Sequence, residues 1–132
     1  DYKGGTIMMK ISDAELVVME IIWQRKEVTS REIIEECEKL DTKWNHNTIR
    51  TLINRLVEKK AVGIINKIGK SYTFVPLIKE NDYKAKRIRH FINQFFAGSF
   101  KDFLTCIWGE YSLSSEEKEE LLIKINKKLK NI

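Results

Sequence analysis

The segment 44–63, WNHNTIRTLINRLVEKKAVG, carries polar side chains of the types that hydrogen-bond to the edges of nucleic-acid bases. At 100° per residue one side of this segment is an apolar stripe, formed by Ile49, Leu52, Ile53 and Leu56. The opposite arc and its margins carry Asn47, Thr48, Arg50, Thr51, Asn54, Arg55 and Glu58. A solvent-facing helix ordinarily shows paired Glu and Lys there. The segment is therefore predicted to be an amphipathic helix whose outer face is specialised for recognition.

The chemistry of that face is suited to the major groove of DNA. Asparagine and arginine can form bidentate hydrogen bonds with adenine and guanine, and threonine can bond an edge or a phosphate while its methyl group meets a thymine methyl. We expect base contacts from the centre of the arc, at Asn47, Arg50, Thr51 and Asn54. We expect phosphate contacts from the margins, at Thr48 and Arg55.

The distribution of charge places a basic region around this helix. Residues 42–79 carry eight basic side chains and a single acidic one, a net charge of +7, whereas residues 1–41 carry −4 and residues 80–132 carry +2. A positive segment that contains a polar recognition face is typical of a nucleic-acid surface. A solvated basic face without a partner is the alternative that charge alone leaves open.

Other kinds of chemistry find little support in the sequence. Cys37 and Cys106 have no CxxC spacing, and His46 and His90 have no cysteine or carboxylate at ligand spacing. No GxSxG motif and no Gly-rich phosphate loop occurs. We therefore expect no enzymatic activity, no cofactor and no metal, and a structural role for both cysteines as small apolar residues.

The number of cysteines and the lengths of the apolar runs also indicate where in the cell the protein is located. Two cysteines are too few for a disulfide scaffold, and no apolar run approaches the length of a transmembrane helix. The sequence therefore predicts a cytoplasmic protein. Residues 1–10 begin with DYKGGTI, which resembles the remnant of an expression tag, and the natural start is expected at Met8 or Met9.

Two further helices are predicted before the polar one. The motifs SDAE and TSRE are capping boxes, in which Ser12 pairs with Glu15 and Thr29 with Glu32. The first helix should bury Leu16, Met19, Ile22 and Trp23, and the second should bury Ile33, Cys37 and Leu40. Asn45 is the expected cap of the third helix, which should end near Lys59 and Lys60.

After Gly63 the pattern changes to short β-branched and aromatic runs. IINK and SYTFVP are separated by IGK, which predicts a hairpin that turns at Gly69 and ends at Pro76. Three helices followed by a hairpin are the elements of a winged helix-turn-helix, here predicted for residues 11–78. In this hairpin, Lys67, Lys70 and Ser71 are expected to contact the DNA backbone.

Residues 79–132 are predicted to form three helices with strongly apolar stripes. The first two are separated at Gly98 and Ser99, and the third lies in SSEEKEELLIKINKKL. Such short helices cannot bury these stripes alone, so the sequence predicts a dimerisation domain in which two chains share one core. The expected interface residues are Ile88, Phe91, Ile92, Phe95, Phe103, Ile107, Trp108, Leu121, Leu122 and Ile125. Packing against the winged helix of the same chain, or a ligand pocket, are the alternatives.

Three motifs, SDAELVVMEIIW, NTIRTLINRLVEKK and FINQFFAGSF, resemble the BlaI/MecI/CopY family of bacterial transcription repressors, in particular its penicillinase and methicillin repressors. The resemblance runs from about Ile11 to Leu129. It implies a mainly α fold, with an N-terminal winged helix and a C-terminal three-helix dimerisation domain. It further implies a homodimer on double-stranded operator DNA with inverted TACA/TGTA half-sites, which blocks transcription of β-lactam resistance genes.

The chain departs from the family pattern in two places. The copper-responsive branch has CxC motifs near its C-terminus, whereas the tail KINKKLKNI has no cysteine. In the β-lactam branch, a membrane metalloprotease sensor relieves repression through cleavage at an Asn-Phe bond, and the matching residues here are Cys106 and Ile107. Relief of repression is thus expected from proteolysis or from another signal. A metal- or redox-responsive repressor and a winged-helix protein-interaction module are the alternative functions.

Overall fold

The computed structural model describes residues 9–68, 71–110 and 112–130, and it omits the side chains of 66–68 and 129. Six helices and three strands occur among these residues. In chain order they are α1 (Asp13–Arg25), β1 (Val28–Thr29), α2 (Ser30–Lys39), α3 (His46–Glu58), β2 (Val62–Ile68), β3 (Ser71–Pro76), α4 (Glu80–Phe96), α5 (Phe100–Glu110) and α6 (Ser115–Lys130). The predicted mainly α fold is confirmed.

The helix starts lie where the sequence predicts them. The Ser12 hydroxyl accepts a hydrogen bond from Glu15 N, and the Glu15 carboxylate accepts one from Ser12 N, so α1 begins with a complete capping box. Thr29 and Glu32 form the same arrangement at α2. Each box satisfies backbone N–H groups that have no partner inside the helix. Local sequence therefore fixes the beginnings of both helices.

The sheet has one more strand than the predicted hairpin. The order is β1-β3-β2, with antiparallel pairing of Val28 with Phe74 and of Val62 with Pro76. The register shifts between Ile64 and Asn66. Pro76 ends β3 as predicted, whereas the predicted turn at Gly69 lies outside the described residues. Strands β2 and β3 with the segment between them are called the wing below.

The core of the first half of the chain is formed by α1, α2, α3 and the sheet. The apolar stripe of α3 is buried as predicted. In α2, Ile33 and Cys37 are buried, but Leu40 is 58% exposed and Ile34 is buried in its place. The prediction for Leu40 is wrong because α2 ends at Lys39, so Leu40 caps the helix and no longer follows its inner face.

The first turn of α4 packs against α1. Trp23 Nε1 donates a hydrogen bond of 2.9 Å to the Ile78 carbonyl, and Ile11 N donates one of 2.9 Å to the Tyr83 hydroxyl. The Lys84 ammonium group lies 5.6 Å from the centre of the Trp23 ring. The described residues form two compact units that divide between Lys84 and Ala85, inside α4. The functional domain boundary after residue 78 stays a prediction.

The second unit contains the rest of α4 together with α5 and α6. Gly98 has a φ of +84°, a conformation that glycine adopts without strain, and α4 ends just before it as predicted. Phe91 lies beside Phe95, with ring centroids 4.6 Å apart, and Phe96 meets Phe103 edge to face at 5.7 Å. Even so, Phe95 is 62% exposed, so this aromatic cluster is only partly covered within one chain.

Candidate nucleic-acid interface

The polar arc of α3 faces solvent. Its central side chains are exposed, namely those of Asn47, Arg50, Thr51 and Asn54. At the margins Arg55 is exposed and Thr48 is half-buried. The Thr51 hydroxyl donates a hydrogen bond of 2.9 Å to the Asn47 carbonyl, one turn earlier. The Thr51 hydroxyl oxygen can therefore still accept a hydrogen bond, and its methyl group can still make an apolar contact.

The N-terminus of α3 is fixed by Asn45. Its Oδ1 accepts a hydrogen bond of 2.8 Å from Thr48 N, as the sequence predicts for a capping asparagine. No acidic side chain lies in the first turn of this helix. The positive end of the helix dipole is therefore not neutralised by the helix's own first turn, which suits a surface that approaches phosphates.

We expect Asn45→Ala to lower the free energy of unfolding by about 1 kcal/mol, because Thr48 N loses its partner at the start of α3. Urea unfolding followed by circular dichroism measures the change. Asn54→Ala is the matched control, since it removes an exposed asparagine from the middle of the same helix and should change stability by less than about 0.5 kcal/mol. Equal losses in the two variants would contradict the role of Asn45 as a cap.

Residues from three elements meet in a groove of about 530 Å³ beside the polar arc. Arg50 from α3 and Ser71 from β3 line it together, so two residues predicted from separate motifs share one surface. The remaining lining residues are Ser30, Arg31, Ile34, Glu35, Glu38 and His46. Sequence reasoning did not select Ser30 or Arg31. The available signal was the motif TSRE itself, in which Ser30 and Arg31 directly follow the α2 cap Thr29.

The wing residues are only partly described. Ser71 is the first residue of β3 and its side chain is exposed. Lys67 lies in β2, where the backbone alone is described, and Lys70 lies outside the described residues. Their expected contacts with the DNA backbone stay predictions.

The two cysteines have different environments. Cys37 is buried, as expected for a small apolar residue, and burial and the neighbouring Glu36 charge raise the pKa of its thiol. Cys106 is exposed in the single chain, and its expected burial belongs to the dimer and stays a prediction. At 100° per residue Cys106 falls outside the arc that holds Phe103 and Ile107. Ile107 is half-buried.

Within residues 9–68, 71–110 and 112–130, no three His, Cys, Asp or Glu side chains are grouped so that they could hold a metal ion. Among the same residues, no helix is both long and apolar enough to cross a bilayer.

The first half of the chain contains three helices and a small antiparallel sheet, and its third helix exposes a face of Asn, Arg and Thr side chains. These features define a winged-helix DNA-binding protein. The structure is similar to the solution structure of the DNA binding domain of the repressor BlaI, with a TM-score of 0.52 and 37% sequence identity. The similarity covers 59% of this chain and 93% of that domain. The chain belongs to the penicillinase repressor family, whose model matches residues 11–127.

Individual relatives agree with this assignment. The methicillin resistance regulatory protein MecI of Mammaliicoccus sciuri is 39% identical over 121 residues, which span 90% of this chain and 95% of that protein. The penicillinase repressor of Bacillus licheniformis is 36% identical over 112 residues, which span 85% of this chain and 86% of that protein. Family membership confirms the predicted resemblance. The chain is a transcription repressor and not an enzyme.

Proposed function

We propose that this chain is a cytoplasmic, homodimeric repressor that binds an inverted-repeat operator through α3. The observation that carries the proposal is the exposed arc of Asn47, Arg50 and Asn54 on a helix whose other face is buried. The two asparagine amides offer a donor and an acceptor, and the Arg50 guanidinium offers several donors, which are the groups that discriminate base pairs in the major groove. Thr48, Arg55 and the wing would hold the adjacent phosphates and so fix the register of the helix on the duplex.

The second compact unit supports the homodimer. Large apolar side chains remain exposed on all three of its helices, including Ile88, Phe91, Phe95, Trp108, Leu122 and Ile125. So many exposed large apolar side chains in one small unit are uncommon on monomers and are typical of a protein interface. Of the predicted interface residues, Ile92 is already buried in the single chain, and Phe103, Ile107 and Leu121 are half-buried. The exposed set is therefore the surface that a second copy would cover.

The regulated genes are proposed from the relatives. A methicillin resistance regulatory protein and a penicillinase repressor both align with most of this chain. We infer that the chain controls β-lactam resistance genes and needs no cofactor to bind DNA. Its release from the operator would follow proteolysis by a membrane metalloprotease sensor or another signal.

Fluorescence anisotropy with two labelled duplexes tests DNA recognition. One duplex carries inverted TACA/TGTA half-sites and the other has the same composition in scrambled order. We expect binding to the first to be tighter by about 10³-fold or more at physiological salt, with affinity for both falling as salt rises. Equal affinities for the two duplexes would contradict operator recognition and favour a protein-interaction module with a basic face.

We expect little or no cleavage of this chain by a sensor protease that requires an Asn-Phe bond. The corresponding residues are Cys106 and Ile107, which lie inside α5, so the helix must open locally before a protease can engage the bond. Co-expression with the cognate sensor and an inducing β-lactam, followed by mass analysis, measures the fragments. The control is the double variant Cys106→Asn/Ile107→Phe, which restores the family dipeptide and should be cut.

The outcomes of that experiment separate the two routes of induction. Efficient cleavage of the unaltered chain between Cys106 and Ile107 would contradict the prediction and show that the dipeptide is not required. An intact chain that nevertheless leaves the operator after induction would support a signal other than proteolysis. Resistance of both chains would show that access to the helix, and not the dipeptide, limits cleavage.

A further inference from the structure

An ion pair between the buried Glu15 and the half-buried Lys59 joins the start of α1 to the end of α3, away from the polar arc. Lys59 Nζ donates a hydrogen bond of 2.5 Å to Glu15 Oε1. The Glu15 side chain is only 3% exposed, and it is the one buried charged residue in the described part of the chain. A buried charge is costly unless it is paired and hydrogen-bonded, so the position of each partner is strongly constrained by the other.

Glu15 serves two elements at once. The oxygen that accepts from Lys59 also accepts a 3.0 Å hydrogen bond from Ser12 N, the capping bond of α1. Burial by itself raises the pKa of the Glu15 carboxyl, but hydrogen bonds from Lys59 and Ser12 and the lysine charge outweigh it, and the pKa is lowered. The carboxylate is therefore ionised at neutral pH and holds both helices through charge-assisted bonds.

Lys59 is the C-cap of α3, and its bonds are directed inward. Its N–H donates to the Arg55 carbonyl and closes the last turn of the helix. Its ammonium group donates to the Lys10 carbonyl at 2.7 Å as well as to Glu15. Although Lys59 belongs to the basic segment 42–79, these two partners direct its charge toward the N-terminus of α1. It is therefore poorly suited to contact phosphate.

We propose that Glu15 and Lys59 are a positioning pair that sets the tilt of α3 on α1 and thereby aligns Arg50 and Asn54 with the base edges. This inference rests on the proposed recognition of an operator by α3. The pair touches neither Arg50 nor Asn54, since Glu15 lies on α1 and Lys59 follows the last residue of α3. Its effect on DNA would be exerted entirely through the orientation of the helix.

A small change in the tilt of α3 at Lys59 would cause a large displacement of Arg50. Apolar packing along the inner stripe of α3 is non-directional, whereas the charge-assisted hydrogen bonds of Lys59 fix one end of the helix in a defined place. At 1.5 Å per residue, Arg50 lies about 13 Å along the axis from Lys59. A tilt of about 10° at Lys59 then moves Arg50 by about 2 Å, several times the roughly 0.5 Å tolerance of a precisely positioned polar contact.

Four single variants of the full chain test the proposal on the operator and scrambled duplexes. Glu15→Gln keeps an acceptor for Ser12 N but removes the charge, and Lys59→Met keeps an apolar stem but removes the ammonium group. Lys59→Arg retains the charge. Lys60→Met is the matched control, because Lys60 is the exposed neighbour and loses the same charge.

We expect Glu15→Gln and Lys59→Met to lower the ratio of operator to scrambled affinity by about tenfold, with an unchanged slope of affinity against salt. Lys59→Arg should recover most of the ratio, and Lys60→Met should leave the ratio unchanged. A phosphate contact by Lys59 would instead weaken both duplexes equally and reduce the salt slope by about one. That result would overturn the proposal.

Folding is checked by circular dichroism before binding is measured. If Lys59→Met fails to fold, Glu15→Gln and Lys59→Arg carry the test. A purely structural pair would lower the unfolding midpoint of Glu15→Gln while the affinity ratio of the folded variant stays that of the unaltered chain. That outcome also overturns the proposal.

The amide resonances of α3 separate this proposal from operator recognition itself. In the absence of DNA, Glu15→Gln should shift the amide signals across His46–Glu58, well beyond the site of substitution on α1. Unshifted signals would overturn the positioning role whatever the DNA result. If the unaltered chain shows no operator preference, the proposed function fails, and these amide shifts alone decide whether the pair positions α3.

Discussion

A chain that ends after Arg87 should bind a two-half-site operator about 10²- to 10⁴-fold more weakly than the full chain. This truncation removes most of the second compact unit, including the exposed phenylalanines of α4 and α5. In a dimer, binding of the first half-site places the second winged helix at a high effective concentration over the other. Separate winged helices lack this advantage, although each keeps its own α3.

Sedimentation and anisotropy measure the two parts of this prediction. The full chain should sediment as a dimer at micromolar concentration and the truncated chain as a monomer. A duplex with a single half-site is the control, because both chains should bind it with similar affinity if the polar arc is intact. A monomeric full chain would contradict the dimer and leave the exposed face of the second unit to another partner.

The position of the truncation matters for stability. A chain that ends after Ile78 also loses Tyr83 and Lys84, which contact Ile11 and Trp23. Its winged helix should therefore unfold at a lower urea concentration than that of the chain ending after Arg87. Equal midpoints would show that the first turn of α4 contributes nothing to the first unit, in agreement with a functional boundary after residue 78.

Arg50→Ala should weaken operator binding by about 1 to 3 kcal/mol, which corresponds to roughly 5- to 150-fold, if the guanidinium pairs with a guanine. Arg50 is exposed at the centre of the polar arc and borders the same groove as Ser71. Scrambled duplex offers no matched guanine, so its affinity should fall by less. Anisotropy on both duplexes at several salt concentrations measures the loss.

Two other basic residues serve as controls for that variant. Arg55→Ala removes the same guanidinium from the margin of α3, and Lys70→Ala removes a predicted wing contact. Each should weaken both duplexes by a similar factor and reduce the salt slope by about one, as expected for a phosphate contact. If Arg50→Ala behaves in the same way, Arg50 contacts a phosphate and contributes no discrimination between bases.

The sequence was sufficient to predict the features that depend on interactions between residues close together along the chain. The buried stripe and exposed arc of α3 follow from helical periodicity, and Ser12, Thr29 and Asn45 cap their helices through residues three positions away. In such cases both partners lie in one short motif, so their spacing can be read directly. Helical periodicity also predicted the three helices of the second unit.

Sequence was insufficient where the partner is distant along the chain. β1 has only two residues and is stabilised by its pairing with β3. Lys59 forms its ion pair with Glu15, which lies on another helix. Leu40 continues the apolar period of α2, but the helix ends at Lys39. Periodicity alone does not show where a helix ends. Cys106 is exposed in the single chain because its angle on α5 places it outside the arc of Phe103 and Ile107.

The irregular register of β2 has a consequence for behaviour at high concentration. In the described sheet β2 is an edge strand, and Ile64 and Ile65 on it are exposed. A regular edge with apolar side chains would be a template on which strands of other molecules could add. The shift between Ile64 and Asn66 interrupts the spacing of backbone donors and acceptors at that point. The opposite edge, β1, offers only two residues, so neither edge presents a long regular ladder for intermolecular sheet growth.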